Sequence, residues 1–259
     1  MRISACLITR DEEFNLPRCL ASCRDLVDEI IVVDSGSRDG TERIASEFGA
    51  RWLRQDWLGY VEQKNTALAT ASHPWALSLD ADEELSQELR QSIRDLKSRN
   101  REAAISGYRF NRCVLYEGRW IRHGEWYPDW LTRLFLRNRG RFVGGKVHER
   151  LEIKGPVLPL NGLLHHYSFR DATDHIERSR HYAQLWAETQ HHAGRGVSPW
   201  TPGMHAAWSW LRGFVLRRGF LDGPQGHRIA SRCAQEVSLK YKLLREMNVT
   251  ACKDPPNQT

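Results

Sequence analysis

Two hydrophobic periods alternate along the first hundred residues. Ile3–Thr9 (ISACLIT) and Glu29–Asp34 (EIIVVD) are near-continuous apolar runs, the pattern of strands buried on both faces. Residues 75–79 (WALSL) form a third such run and 51–53 a short fourth. Between them the period lengthens. Leu16, Cys19, Leu20 and Cys23 fall at helical spacing within 15–26, and Ile44 and Phe48 lie i, i+4 in a helix that Gly49 ends. Asp39, with Glu42 three residues on, reads as the cap of that helix. Residues 62–71 and 84–96 predict two more helices, the second with Leu85, Leu89, Ile93 and Leu96 on one stripe. Strands alternating with helices predict an α/β fold with a parallel sheet covered by helices.

From Gly107 the pattern changes. Segments 108–116, 119–123, 131–136 and 141–143 read as strands, with turns at Glu117-Gly118 and 138–140. Residues 173–192, 206–215 and 228–247 read as helices, separated by a Gly/Pro-rich break at 194–203. Trp208, Trp210, Leu211, Phe214 and Val215 share a broad helical face with Arg212, Arg217 and Arg218 at its margins. That reads as an interfacial helix with its aromatic side in lipid headgroups and its arginines on lipid phosphate, the alternative being a core-packed helix with a basic rim.

Composition adds little to the fold and more to the partners. The chain has 259 residues, 41% hydrophobic and 10% aromatic, which is globular rather than disordered. Residues 1–98 carry 12 basic and 18 acidic side chains, a net of −6; residues 99–259 carry 26 and 14, a net of +12. A basic second half suits an anionic partner: nucleic acid, an anionic membrane surface or a phosphorylated glycolipid. No helix-turn-helix, zinc-finger or RNA-recognition signature supports nucleic acid. The six cysteines show no paired Cys-x-x-Cys spacing, so zinc is not expected, and they read as reduced thiols. Neither a signal peptide nor an apolar run of membrane-spanning length is visible, and the expectation is a cytoplasmic protein.

Candidate chemistry concentrates where the third long strand ends, at Asp80-Ala81-Asp82. Two carboxylates one residue apart at a strand's carboxyl end can face a crevice and share a hard cation, Mg²⁺ or Mn²⁺, together with substrate phosphates. Asp34 and Ser35 end the second strand at the same rim, placed either for nucleoside hydroxyls or to start the turn 35–40. Lys64 opens a helix, a place suited to phosphate and also to an ordinary solvated lysine.

Six motifs in order carry a resemblance: ITRDEE at 8–13, VDSGSRDGT at 33–41, QKN at 63–65, LDADE at 79–83, VHE at 147–149 and HYS at 166–168. Together they resemble the family-two inverting glycosyltransferases of the GT-A fold, nearest the branch that builds lipopolysaccharide core sugars. Segment 218–226 (RGFLDGPQG) is similar to that branch too, whereas Asp11 stands where the family more often has Asn.

The resemblance implies a nucleotide-sugar donor, most simply UDP-glucose, and a divalent cation. It places Thr9, Glu13, Asp34, Ser35, Lys64 and Asp80 on the nucleotide. Asp82 becomes the direct metal ligand, with Asp80 near the ribose, and His166 completes the metal or diphosphate site, with a swap to His165 left open. Glu149 is the first candidate for the base that takes the acceptor hydroxyl's proton, Asp129 the second, and His148 orients Glu149 or touches the diphosphate. It also implies a lipid-linked oligosaccharide acceptor and a peripheral location on the inner membrane. The implied organisation is a GT-A domain at 1–170, a membrane-associating helical extension at 171–252 and a disordered tail at 253–259. A non-catalytic scaffold, or a phosphatase or nucleotidyltransferase using the same metal site, are the rival readings.

Overall fold

The computed structural model describes residues 1–98, 105–144, 149–168 and 172–253. The chain divides into two compact units, Met1–Cys113 with Pro128–Tyr167, and Val114–Tyr127 with Ser168–Thr259.

The first unit begins with β1 (Ile3–Thr9), α1 (Leu16–Cys23), β2 (Glu29–Asp34), α2 (Thr41–Glu47), β3 (Arg51–Arg54), α3 (Tyr60–Thr70) and β4 (Trp75–Asp80). It continues through β5 (Glu83–Leu85), α4 (Gln87–Ser98) and β6 (Gly107–Tyr116), whose end from Val114 belongs to the second unit together with β7 (Arg119–Trp120). β8 (Asp129–Leu136), β9 (Gly140–Gly144), β10 (Glu149–Ile153) and β11 (Val157–His166) complete it. The main sheet runs β3-β2-β1-β4-β8-β6-β11-β5, and β9 and β10 form a separate antiparallel pair. β3, β2, β1 and β4 are parallel, while β8 runs antiparallel to both β4 and β6.

The inner parallel strands β1, β2 and β4 are largely apolar because both faces are covered, whereas the edge strand β3 (RWLR) keeps both its arginines exposed. Ile3, Ala5, Leu7, Val32, Leu77 and Leu79 pack under α1, α2 and α4. The alternate residues Cys6, Ile31, Val33 and Ala76 pack with Ala67 and Leu68 of α3 and with Phe135 and Phe142. Burying each of the larger side chains contributes about 1.5–3 kcal/mol. The register places Thr9 beside Asp34 and Ile8 beside Asp80, so the carboxyl ends of three strands share one rim.

Several elements differ from expectation, each for a local reason. The helix expected at 84–96 starts at Gln87, because residues 83–85 pair with β11 as a strand and Ser86 Oγ accepts the Leu89 N–H (3.2 Å) as its cap. The helix expected to be capped by Asp39 has Gly40 at its cap position. The Asp39 carboxylate instead accepts the N–H of Thr41 (3.0 Å) and of Glu13 (3.1 Å), tying two loops together. Strand β10 was not anticipated: its residues ERLEI are mostly polar, and only pairing with β9 makes them a strand.

In the second unit, the Glu117-Gly118 turn joins β6 and β7 with both residues at positive φ (46° and 77°), as a two-residue hairpin of this twist requires. The expected strand at 119–123 stops at Trp120. Beyond it the N–H groups of Arg122 and His123 go to the buried Asp222 carboxylate (3.0 and 2.7 Å) rather than to a neighbouring strand. α5 (Ala172–His192), α6 (Thr201–Trp210) and α7 (Gly223–Lys253) are the helices, and a π-helical turn at Leu211–Leu216 and a 3-10 turn at Gly219–Asp222 follow α6. Segment 218–226 ties these turns together. A side chain at Gly226 would lie 1.9 Å from the Gly219 carbonyl oxygen, so only glycine fits there. α7 reaches Lys253, so the first residue of the tail expected at 253–259 is helical; the rest of that tail lies outside the described residues.

Candidate active site

The loops after β1 and β2 are zipped together at the rim. Asp11 N–H donates to Ser37 Oγ (2.8 Å), Asp11 Oδ1 accepts the Arg38 N–H (2.8 Å), and Glu13 Oε2 accepts the Gly40 N–H (2.7 Å). Asp11 sits at φ +54°, a left-handed conformation that Asn and Asp tolerate best, which explains how Asp serves where Asn is more usual. Asp34 is 2% exposed, and both its oxygens are engaged: Oδ2 accepts the N–H of Gly36 (2.7 Å) and Ser37 (2.8 Å), while Oδ1 accepts from Thr9 Oγ1 (3.1 Å) and from Ser37 Oγ. Asp34 therefore builds the turn. Ser35 donates through both its N–H and its hydroxyl to the Thr9 carbonyl (3.0 and 3.1 Å).

The QKN tripeptide divides its work three ways. Gln63 is fully buried and donates to the Gln55 carbonyl (3.1 Å), fixing the loop before α3. Asn65 exchanges two hydrogen bonds with the Phe142 backbone (2.9 and 3.0 Å), docking α3 on the edge of β9. Lys64, between them, is 7% exposed, so it is not a solvated lysine; its Nζ lies 3.0 Å from Asp80 Oδ1 and 3.3 Å from Glu149 Oε1.

Asp80 is held from the other side by Arg133, whose Nη2 lies 2.6 Å from Asp80 Oδ2 and also bonds Glu83 Oε1. Burial alone would raise the Asp80 carboxyl, but the Arg133 and Lys64 charges hold it well below the ordinary carboxylate range. Glu83 is fully buried, and burial pushes its carboxyl up against the opposing pull of Arg133. Arg112 lies 3.6 Å from Glu83 and clasps Asp129 Oδ2 through Nε (2.9 Å) and Nη2 (2.8 Å). One row of alternating charge thus runs Glu149, Lys64, Asp80, Arg133, Glu83, Arg112, Asp129.

Asp82 and His166 are brought together by the short β5–β11 pairing, which matches His166 to Glu83. Asp82 Oδ2 lies 3.2 Å from His166 Nε2, and the Tyr167 N–H donates to the Asp82 carbonyl (2.9 Å). The Tyr167 hydroxyl donates to Glu84 (2.6 Å), and the Arg18 guanidinium covers its ring (3.4 Å to the centroid). Of the two neighbouring histidines, His166 is the one against Asp82. Among the described residues, no group of three His, Cys, Asp or Glu side chains converges as a metal cage. Neighbouring ligand atoms around an octahedral cation at about 2.1 Å lie about 3 Å apart, and such ions commonly keep waters and substrate phosphates in their remaining positions. The Asp82–His166 spacing fits two such positions; Asp80, with both oxygens on cations of the protein, does not fit as a ligand. His148 lies outside the described residues.

Arg133, Glu83 and Arg112 were missed by sequence reasoning. The available signal was charge: four carboxylates within 80–84 need buried cations, and Arg133 is a lone cation in the apolar strand LTRLFL.

The carboxylate-rich rim, with its histidine and buried lysine, is the candidate active site, and comparison with known proteins gives the class of the chain as a glycosyltransferase. Residues 4–151 match the family described as glycosyl transferase family 2; they are more than half of the chain, and the chain belongs to that family. The mixed sheet flanked by helices is the GT-A arrangement that the sequence resemblance implies. The chain is 29% identical over 257 residues to the uncharacterized glycosyltransferase RP128 of Rickettsia prowazekii, covering 96% of this chain and 88% of that protein. It is also 29% identical over 261 residues to the lipopolysaccharide core biosynthesis glycosyltransferase LpsC of Rhizobium meliloti, covering 95% and 96%. Among solved structures, glucosyl-3-phosphoglycerate synthase from Mycobacterium tuberculosis in complex with Mn²⁺, UDP and glucosyl-3-phosphoglycerate aligns with a TM-score of 0.35 and 26% identity, over 45% of this chain and 44% of that one. S. aureus TarS aligns with a TM-score of 0.46 and 15% identity, over 93% of this chain and 55% of that one.

Proposed function

We propose that this glycosyltransferase moves a hexose, glucose from UDP-glucose, onto a lipid-linked lipopolysaccharide inner-core acceptor with inversion at the anomeric carbon. The observation that carries the reading is the gathering of Asp80, Asp82, His166, Lys64 and Glu149 at the carboxyl rim of the parallel strands. The similarity to LpsC, a lipopolysaccharide core biosynthesis glycosyltransferase, supports the choice of acceptor. Asp82 and His166 would hold Mg²⁺ or Mn²⁺, which would supply positive charge to the departing diphosphate. Thr9, Glu13, Asp34 and Ser35 shape the nucleoside pocket, Asp34 by fixing the turn whose backbone meets the base or ribose. Asp80 faces the ribose.

Glu149 takes the proton of the acceptor hydroxyl as that oxygen bonds to C1. The bond from C1 to the β-phosphate oxygen breaks, and UDP leaves with the electron pair. Glu149 is preferred over Asp129 because Arg112 must release Asp129 Oδ2 before that oxygen can accept a proton, whereas Glu149 is held, among the described residues, by one lysine at 3.3 Å.

The helical extension is the membrane-associating part, peripheral on the cytoplasmic face of the inner membrane. Supporting this, Trp208, Leu211, Val215, Leu216, Phe220 and Leu221 are exposed along consecutive turns. No helix among the described residues is long and apolar enough to cross a membrane.

The test is a panel of UDP-, GDP-, ADP- and CMP-linked sugars with Mn²⁺ or Mg²⁺, scored by thermal stabilisation and product. Saturation at a hundredfold excess over Kd stabilises by about 2.7 kcal/mol. UDP-glucose should stabilise the protein in a cation-dependent way and yield UDP with an extended acceptor. Stabilisation by another sugar nucleotide in its place overturns the donor, and release of a nucleoside monophosphate overturns the reaction type.

A further inference from the structure

We propose that Arg133 is a positioning residue: its guanidinium, braced by Glu83, sets the Asp80 carboxylate for the donor nucleotide. The proposal rests on the reading above that Asp80 faces the donor.

Three observations carry it. The first is the strand itself. Between β6 and β8 the register passes from Tyr108 opposite Leu134 to Arg109 opposite Thr132, which leaves Arg133 as the extra residue of a bulge. A bulge bends its strand and re-aims one side chain, and bulges are over-represented beside active sites. Regular pairing would serve a packing role equally well; the bulge sends this one side chain to the end of β4.

The second is what Arg133 touches. The same Nη2 meets Asp80 Oδ2 and Glu83 Oε1, while the other carboxylate oxygen of Glu83 accepts the backbone N–H of Asp80 (3.0 Å). Asp80 is thus gripped through side chain and main chain by one pair of residues. Lys64 takes the remaining carboxylate oxygen of Asp80.

The third is cost. Arg133 is 6% exposed and Glu83 fully buried, and Arg133 Nε is buried with no hydrogen-bond partner among the described residues. Buried ion pairs are weak stabilisers, and an orphaned buried donor is a further penalty. Apolar residues in place of the whole Arg133–Glu83 pair would serve stability as well or better. An arginine kept at this cost, and aimed by a bulge at the donor-facing carboxylate, is explained by placement of that carboxylate.

The experiment uses the full chain and two conservative variants, Arg133→Lys and Glu83→Gln. Lysine keeps the charge, but its ammonium ends a bond short of Nη2 on a flexible stem, without the rigid guanidinium plane that aims Nη2 between the two carboxylates. Measured are the melting temperature, the Kd for UDP by calorimetry with Mn²⁺ present, and KM and kcat for the donor. Arg133→Lys should weaken UDP at least tenfold and raise the donor KM in step, with kcat at saturating donor changed much less. Asp80→Asn should weaken UDP similarly, and the double variant should be no weaker than Asp80→Asn alone, because Arg133 acts through Asp80.

Unchanged UDP affinity in a folded Arg133→Lys protein overturns the proposal, as do additive losses in the double variant. A fall in melting temperature with UDP affinity intact makes Arg133 structural and also overturns it. If Arg133→Lys does not fold, Glu83→Gln, which loosens the brace and leaves the guanidinium, must show the same KM-weighted loss. The wild-type arm keeps the two claims apart. Wild type that binds GDP or ADP in place of UDP overturns the donor reading, and the variants are then compared on that nucleotide.

Discussion

Glu149 and Asp129 stand at opposite ends of one row of alternating charges, and their different hold on that row separates two carboxylates that look alike in the sequence. Asp129 is clasped twice by a guanidinium, and Glu149 touches an ammonium once. Losing a general base costs about 10²–10⁴-fold in rate. Glu149→Gln should therefore lose about that much in kcat, with the donor Kd little changed. The check is single-turnover kinetics beside a nucleotide titration. The same loss in Asp129→Asn, with Glu149→Gln near wild type, exchanges the two assignments. Lys64 is the residue whose meaning changed most with the structure. Its sequence context gave even weight to solvent and to phosphate, because burial of a lysine depends on carboxylates 16 and 85 residues away in the chain. Asp34 was legible as both a turn-former and a rim residue, and its four hydrogen bonds show how a carboxylate at a strand end organises the loop that follows it.

Among the elements, β1, β2 and β4 were legible almost to the residue because each is buried on two faces and therefore apolar along most of its length. β5 and β10 were not. Glu83–Leu85 and Glu149–Ile153 are short and polar, and each becomes a strand only by pairing with a segment whose place along the fold no local pattern reveals. These two carry Glu83 and Glu149, so the least legible elements hold part of the site. β11 also depends on a close approach that only glycine allows. Gly162 has φ +100°, and a Cβ there would sit 2.3 Å from the backbone nitrogen of Leu89 in α4. Gly162→Ala adds backbone strain to overpacking and should destabilise by about 2–5 kcal/mol. Denaturant unfolding measures it. A change under about 0.5 kcal/mol, the range of ordinary surface substitutions, would mean that α4 does not pack on β11 as described.

At the scale of the whole molecule, the charge asymmetry between the chain's two parts drew attention to a membrane surface, and the structure changes which residues should matter. Two of the three arginines assigned to lipid phosphate, Arg212 and Arg217, are held by Glu125 (2.9 and 3.1 Å). Trp210 and Phe214 pack on each other and on His227. The exposed apolar residues instead continue beyond α6 into Leu216, Phe220 and Leu221. Pairing of an arginine across the chain and the switch from α to π geometry are tertiary events that a helical wheel does not show. The proposed membrane docking would therefore rest on apolar insertion more than on charge. Replacing Trp208, Leu216 and Phe220 with Ser should weaken vesicle binding about tenfold or more, each buried side chain contributing about 1.5–3 kcal/mol. Arg212→Gln with Arg217→Gln should have a smaller effect, confined to vesicles containing anionic lipid. Flotation with anionic and neutral vesicles tests both, and equal binding of the Ser variant and wild type removes the membrane role.

The central claim is that Asp82 and His166 hold the cation on which transfer from a nucleotide sugar depends. The most direct measurement is turnover of UDP-glucose by Asp82→Asn, beside its melting temperature with and without Mn²⁺ and UDP. The swap is nearly isosteric, so the fold should persist, with a melting temperature near that of wild type. Turnover should fall by more than about 10²-fold, and the stabilisation by Mn²⁺ with UDP should disappear. Wild-type turnover in Asp82→Asn, or wild-type activity that survives EDTA untouched, would contradict the account.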